Sequence, residues 1–355
     1  MVNSATLQTL SENAISLDET GEWPFRQFEL LAQEGILRWG IPEEFGGQPI
    51  LQRELLEGYE QLAAACMTTT FILTQRMGAC QRIAASENQL ARERLLPDLA
   101  VGRTFATVGI SHLTTSRQHV KTPAVQVELQ GDQISLNGMI PWVTGAPHAD
   151  TIVTGGTCSD GRQVLIALPT RQAGVSVQPH ARLMALTASH TATIQLQKVQ
   201  LSTDDLLAGP VDSVMTTGPG SGTGSLTTSV LALGLSQRVA RFIREQAKVR
   251  PDLTEVSQRF DAELISLHND LYQSATNPEP TAQTLNSASI RQRANSLALR
   301  ISQAAMGISK GAGFVRGHAA ELAVREAMFF LVWSCPQPIV QGVLDELSCR
   351  GGDTF

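Results

Sequence analysis

The segment FFLVWSCPQPIV, residues 329–340, sets a hydroxyl beside a thiol at the end of a large apolar run. Ser334 and Cys335 follow Trp333, and two prolines, Pro336 and Pro338, flank Gln337. A thiol acts as a nucleophile through its thiolate, which needs a neighbouring His, a cation or a helix N-terminus. Pro336 suits the first turn of a helix, so Cys335 is expected near an N-cap. Against this, no His is near in sequence, and a small buried hydrophobic Cys fits the same pattern. A serine hydroxyl has no useful basicity near neutral pH without a helper. The segment reads as a reactive pair, the rim of a pocket or a helix ending, and its surroundings decide between them.

The other chemistry-bearing residues are dispersed. The five cysteines are Cys66, Cys80, Cys158, Cys335 and Cys349, with no C-x-x-C spacing. That pattern is expected of reduced thiols in a cytoplasmic protein, not of a disulfide frame or a zinc site. The seven histidines show no H-E-x-x-H or similar ligand spacing, so no metal is expected. The 355 residues are 42% hydrophobic and 17% charged with a net charge of -6, an ordinary globular balance without a basic nucleic-acid footprint. The first twenty residues have no basic start followed by an apolar run, so no secretory signal is expected. No apolar stretch reaches the ~18 residues of a membrane span.

The elements that must position these groups fall into three blocks. Helical periodicity dominates the first hundred residues. It includes WPFRQFELLAQEGILRWG, LQRELLEGYEQLAAAC, an apolar helix over 68–85, and SENQLARERLLPDLAVG, capped by Ser86 and stopping near Pro97. From about Arg103 the period changes to two. TFATVGIS, AVQVELQGDQISLNG (a hairpin around QGDQ), ADTIVTGGT, RQVLIALPT, GVSVQP and TATIQLQKVQL predict six or seven strands of an antiparallel sandwich or barrel. From about Asp212 a Gly/Ser/Thr-rich link leads back to long amphipathic helices, with NPEP breaking the second. The expected division is 1–102 all-α, 103–211 all-β and 212–355 all-α.

Local motifs add a family resemblance that runs in order along nearly the whole chain. Ile41-Pro42-Glu43-Glu44-Phe45-Gly46-Gly47 resembles the end of the first helices in the acyl-CoA dehydrogenase family. ISLNGMIPWVTGAPHADTIVTGG resembles that family's flavin-proximal hairpin, and LTASHTATIQLQKVQLSTDDLLAG its later strand. AAMGISKGAGF and VREAMFFLVW resemble its glycine-rich turn and its Arg-Asp-Ala helix. The resemblance implies an α+β fold with an N-terminal α-helical domain, a central antiparallel β-sandwich or barrel and a C-terminal four-helix bundle. It also implies FAD, held between the β domain and the bundle, and a homodimer or homotetramer.

By the same resemblance, Trp142 and Thr144 lie against the flavin ring. An indole face can shield a flat ring, and a hydroxyl can hydrogen-bond a ring nitrogen. FATVGISHLTTSR occupies the family's phosphate- and flavin-wrapping segment without its Glu-Pro and Gly-Ser-Asp. Ser111, Thr114 and Thr115 offer hydroxyls there, and His112 is a candidate for flavin or substrate contact; a plain polar loop is the alternative. Arg259 is a candidate for pyrophosphate, in a loop shorter than the family's, and Gly311 and Gly313 for close backbone approach. A solvated helix charge and a plain helix-linking turn remain open for these three.

The departure at the rim matters most. Aligning Arg325-Glu326-Ala327 with Arg-Asp-Ala brings Trp333 to the family's aromatic residue and Ser334 to its catalytic Glu. Trp333 and Cys335 are expected to edge the substrate pocket. No Asp or Glu lies between Asp212 and Glu245, where other members carry the base. Whether a distant side chain, such as Glu326 or His112, replaces it stays open. Three functions follow. The first is an FAD-dependent oxidoreductase acting on CH–CH groups of an acyl thioester such as an acyl-CoA, passing electrons to an electron-transfer flavoprotein. The second is a monooxygenase on the same scaffold, using oxygen and exchangeable reduced flavin from a flavin reductase. The third is a non-catalytic binding module.

Overall fold

The computed structural model describes residues 2–114, 122–216, 226–276, 286–335 and 337–348. Parts of the glycine-rich link and of the NPEP break lie outside them. Helices α1 (Ser4–Thr20), α2 (Phe25–Gln33), α3 (Gln52–Ala65), α4 (Met67–Ala84) and α5 (Gln89–Ala100) come first. Strand β1 (Ala106–Gly109), the short α6 (Ser111–Thr114) and strands β2 (Val125–Gln130) to β3 (Gln133–Val143) follow. The sheet continues through β4 (Thr151–Cys158), β5 (Gln163–Pro169), β6 (Val175–Val177), β7 (Ala192–Ser202) and β8 (Leu206–Val211). Helices α7 (Leu226–Val249), α8 (Thr254–Thr276), α9 (Ser287–Ser309), α10 (Ala319–Met328) and α11 (Gln337–Leu347) complete the chain.

One helix departs from expectation at both ends. Asn88, not Ser86, caps α5, its Oδ1 accepting from the Ala91 N–H at 3.1 Å. Ser86 is occupied elsewhere: its hydroxyl donates to the Leu207 carbonyl at 2.6 Å and so ties the helix start to β8. The helix runs through Pro97 to Ala100 because Leu96, Leu99 and Ala100 are buried, which outweighs the single hydrogen bond a proline cannot donate.

The sheet order is β6-β7-β3-β2-β4-β5-β8, with β1 pairing β4. The QGDQ hairpin forms as expected, Gln130 opposite Gln133, with Gly131 supplying the φ of +58° that a tight two-residue turn requires. Most pairings are antiparallel, but β1 and β2 both run parallel to β4. The β2–β3 hairpin lies between them in sequence, so the chain re-enters the sheet in its original direction. Strand β4 is buried on both faces, as a parallel partner must be. Val153 packs with Val108, Leu165 and the α4–α5 residues Cys80, Ile83 and Leu96. Ile152 points the other way, into a cluster with Ile134, Ile140, Ile166 and Ile194.

The largest apolar core joins α1, α3 and α4 to the C-terminal helices α7–α10. Helices α3 and α7 approach closely at Gly234, where a Cβ would stand 2.5 Å from the Glu60 carbonyl oxygen. This packing fixes α4 and α10 relative to the sheet, and both help to wall the same cavity.

Candidate functional site

A cavity of about 400 Å³ opens between the β1–β3–β7 region, α4 and the α10-to-α11 link. Its first wall is the end of β3. The register against β7 shifts between Ile140 and Val143, and within that bulge Trp142 adopts φ +56°. A bulge of this kind turns a side chain out of the strand's alternation. The indole faces the cavity and is 60% exposed, unusual for a large apolar residue beside buried Val143. Thr144 is buried beneath it, its Oγ1 3.3 Å from Thr191 Oγ1, which in turn lies 2.8 Å from Ser189 Oγ. Thr144 and Thr191 both reach the cavity.

The second wall is α6 and the strand before it. Ser111 and Thr114 line the cavity, and Ser111 donates to the Pro141 carbonyl at 3.3 Å, one residue from the indole. The third wall is aromatic. Phe329 stacks on Trp333 at 5.3 Å, and Phe71 of α4 meets both edge-on at 4.8 and 5.1 Å. Ser334 closes this wall with φ +45°.

Among the described lining residues the one charged side chain is Arg325, and it is neutralised. It donates to both Asp18 oxygens at 2.9 and 2.6 Å, to Glu321 and to the Met184 carbonyl at 2.9 Å. Burial works against its charge, but Asp18 and Glu321 outweigh burial and hold its pKa above the ordinary value. Glu326, next on α10, is buried and turned away onto Arg238 of α7. Burial raises its pKa, with Arg238 opposing.

Behind Thr144 and Thr191 sits a ring cluster. His148 stacks on Trp23 at 4.3 Å, and its Nε2 is 2.9 Å from His190 Nδ1, whose ring stacks on His180 at 4.1 Å. His190 Nε2 lies 2.9 Å from the Gly21 carbonyl. A carbonyl only accepts, so His190 carries its proton on Nε2 and accepts at Nδ1 from His148. Burial, then the neighbouring His190 and His180, push His148 down to about 4. Burial also lowers His190.

The cavity thus brings together Ser111, Thr114, Trp142, Thr144, Trp333 and Ser334. It does not bring in the others. The His112 ring is set against β4, its Nε2 2.9 Å from the Gly155 carbonyl, and is not among the lining residues. Cys335 follows the lining Ser334 but turns its thiol back to the Phe330 carbonyl at 3.4 Å. Arg259 stands on an exposed face of α8, paired with Glu255 one turn earlier, because an i, i+4 partner is nearer than any cavity group. Gly311 and Gly313 lie in the 3₁₀ turn after α9, outside the cavity. Thr115 lies outside the described residues. Sequence reasoning missed Phe71, Gln75, Met184 and Thr191. Phe71 and Gln75 look like any two positions of an apolar helix, and Thr191 became a candidate only once β7 was placed beside β3.

An all-helical start, a mixed sheet, a terminal helical bundle and a cavity between sheet and bundle together define a class of α+β proteins. The family model described as "Acyl-CoA dehydrogenase, N-terminal domain" matches residues 1–103. The probable acyl-CoA dehydrogenase YngJ of Bacillus subtilis (strain 168) is 23% identical over 345 residues, covering 92% of this chain and 90% of that protein. The structure of butyryl-CoA dehydrogenase from Megasphaera elsdenii superposes with a TM-score of 0.82 at 16% identity, covering 97% of this chain and 95% of that one. KijD3 in complex with FMN and a dTDP-amino-keto sugar superposes at 0.77 and 17% identity, over 99% and 93%. The first 103 residues match the N-terminal domain of the acyl-CoA dehydrogenases, and nearly the whole chain is similar to members of that family.

Proposed function

We propose that the chain is a flavin-dependent oxidoreductase of the acyl-CoA dehydrogenase type, acting on a small organic substrate in the cavity between sheet and bundle. One observation carries this reading: the β3 bulge presents an exposed Trp142 to a cavity whose opposite rim is Ser334. A strained backbone and an exposed indole are expected where a protein holds a flat partner, not where it fills a core. The residues fit the ring end of a flavin. Trp142 shields a face, Thr144 and Thr191 supply hydroxyls, and Ser111 and Thr114 add further polar groups on the same side. A bound flavin supplies the two-electron acceptor or donor. The aromatic wall of Phe71, Phe329 and Trp333 excludes water and seats the apolar part of the substrate.

Proton removal separates two reactions. Ser334 stands where the family resemblance puts a carboxylate, and among the described lining residues there is neither carboxylate nor imidazole. Glu326 faces Arg238, and His112 faces β4. This favours, as a second reading, chemistry with oxygen and reduced flavin that needs no carboxylate base. FAD, an acyl-CoA substrate and an electron-transfer flavoprotein as electron acceptor belong to the first reading; exchangeable flavin and a flavin reductase belong to the second. Both keep a division near residues 102 and 211 and a homodimer or homotetramer.

The visible spectrum of the purified protein is the test. A yellow chromophore bleached anaerobically by an acyl-CoA supports the first reading. A colourless protein that takes up reduced flavin and consumes oxygen supports the second. Failure to bind flavin in either redox state would overturn both.

A further inference from the structure

The cavity offers polar partners to a ligand but no free charge among its described lining residues. Arg325 is committed to Asp18, Glu321 and the Met184 carbonyl. Arg316 reaches the same two carboxylates at 3.3 and 3.4 Å, so two cations and two anions form a neutral cluster. Two neighbours on α4 face different ways. Arg76 is fully buried and donates to the Leu37 carbonyl at 3.0 Å and to the Leu99 carbonyl, away from the cavity. Gln75 lines the cavity. It stands one turn after Phe71 and so shares the helix face that meets the aromatic wall. The orientation of the Gln75 amide follows from its other neighbour. Thr74 donates its single hydroxyl proton to the Phe71 carbonyl at 2.7 Å. A carbonyl only accepts, so the Thr74 oxygen can only accept from Gln75, 3.1 Å away. The amide nitrogen is therefore the end held at Thr74, and Oε1 is the end left for a ligand. Among the described residues nothing donates to Oε1.

We propose that Gln75 is a specificity-determining residue of this cavity: the part of the substrate seated there is uncharged and carries a hydroxyl or amide N–H that donates to Gln75 Oε1. The inference rests on the reading that this cavity takes the substrate. The apolar body of that substrate lies against Phe71, Phe329 and Trp333, one helical turn from the amide. A carboxylate or ammonium entering the cavity would lose its water and gain no opposite charge, which costs far more than burying a neutral group. A neutral donor exchanges water for Oε1, whereas a ligand without a donor leaves Oε1 desolvated and unpaired. Both effects act in the same direction and select the neutral donor.

Fragments of one shape test this on the protein as purified. Benzamide is neutral with an N–H donor, methyl benzoate is neutral without one, and benzoate is charged. Ligand-observed NMR reads their dissociation constants. Wild type is expected to bind benzamide about tenfold or more tightly than benzoate. Gln75→Leu is expected to weaken benzamide about fivefold and to leave methyl benzoate within about twofold. Gln75→Glu, which keeps the shape and adds a charge, is expected to bind the cation benzamidine about tenfold more tightly than wild type does. Benzoate binding as tightly as benzamide, an undiminished benzamide affinity in Gln75→Leu, or no binding of any fragment would overturn the proposal. Should Gln75→Leu not fold, the wild-type order and Gln75→Glu decide. Flavin uptake in the visible spectrum is a separate readout, so failure of this inference is distinct from failure of the proposed function.

Discussion

Trp142 differs from a core tryptophan in two ways, a left-handed backbone and an indole 60% exposed. Left-handed φ costs a non-glycine residue about 1 kcal/mol or more, and so exposed an indole recovers little of that by burial. Trp142→Gly should therefore leave the melting temperature equal to or above wild type while weakening flavin retention tenfold or more. Thermal melts and flavin titration check this; a large fall in melting temperature with flavin binding intact would make Trp142 an ordinary structural residue. Ser334 invites the converse experiment. Ser334→Glu places a carboxylate at the rim with little added backbone cost, because the serine already holds the φ of +45° that any L residue would have to adopt there. If the cavity handles acyl thioesters, the variant's flavin is bleached by an acyl-CoA at least tenfold faster than the wild type's. A flavin-loaded variant that stays yellow would remove Ser334 from the reacting position. Trp142, Thr144 and Ser334 were legible because they occupy motif positions whose residue types carry chemistry. Phe71 and Thr191 were not, because an apolar helix position and a strand threonine look alike whether or not a cavity lies beside them.

At the scale of elements, the His148–His190 pair links the end of α1 to the segments at the end of β3 and the start of β7 that hold Thr144 and Thr191. The groups acting on the pair are His180 and the Gly21 carbonyl, together with burial. Both imidazoles titrate below their ordinary value in the folded chain, His148 at about 4. Between the unfolded value near 6.5 and the folded one, the unfolded chain binds more protons, so stability falls as pH drops. The contribution is complete above about pH 6.5 and is lost as pH falls toward 4. Melting temperature against pH should show this decline, and His148→Gln should flatten it; an unchanged slope in the variant would assign the decline to other groups. No periodicity announces such a cluster, because its rings come from three separated stretches. The same limit applies to α5. Ser86 and Asn88 are both good caps by type, and only the distant Leu207 carbonyl decides which one serves. Parallel β1 and β2 on β4 were hidden for a related reason: alternation gives a strand's faces but not its neighbour's direction.

At the scale of the whole molecule, the helix–sheet–helix order was legible from the switches in hydrophobic period, while the cavity was not, since it exists only where the three blocks meet. Its walls come from α4, from β3 with β7, and from α10 with its following link. A ligand that touches all three is bound by the folded chain and lost on unfolding, so flavin affinity must appear as global stability. At a free flavin concentration of 100 times Kd the added stability is about 2.7 kcal/mol. For 355 residues unfolding with an entropy of roughly 2 cal/mol/K per residue, that is a rise of about 4 °C in melting temperature. Wild type should show the rise with oxidised or reduced flavin, whichever state it binds. Trp142→Gly should lose most of it at the same concentration, and Arg259→Ala, on the far exposed face of α8, should keep it. If Arg259→Ala loses the rise and Trp142→Gly keeps it, flavin is held at the outer helices and not in this cavity.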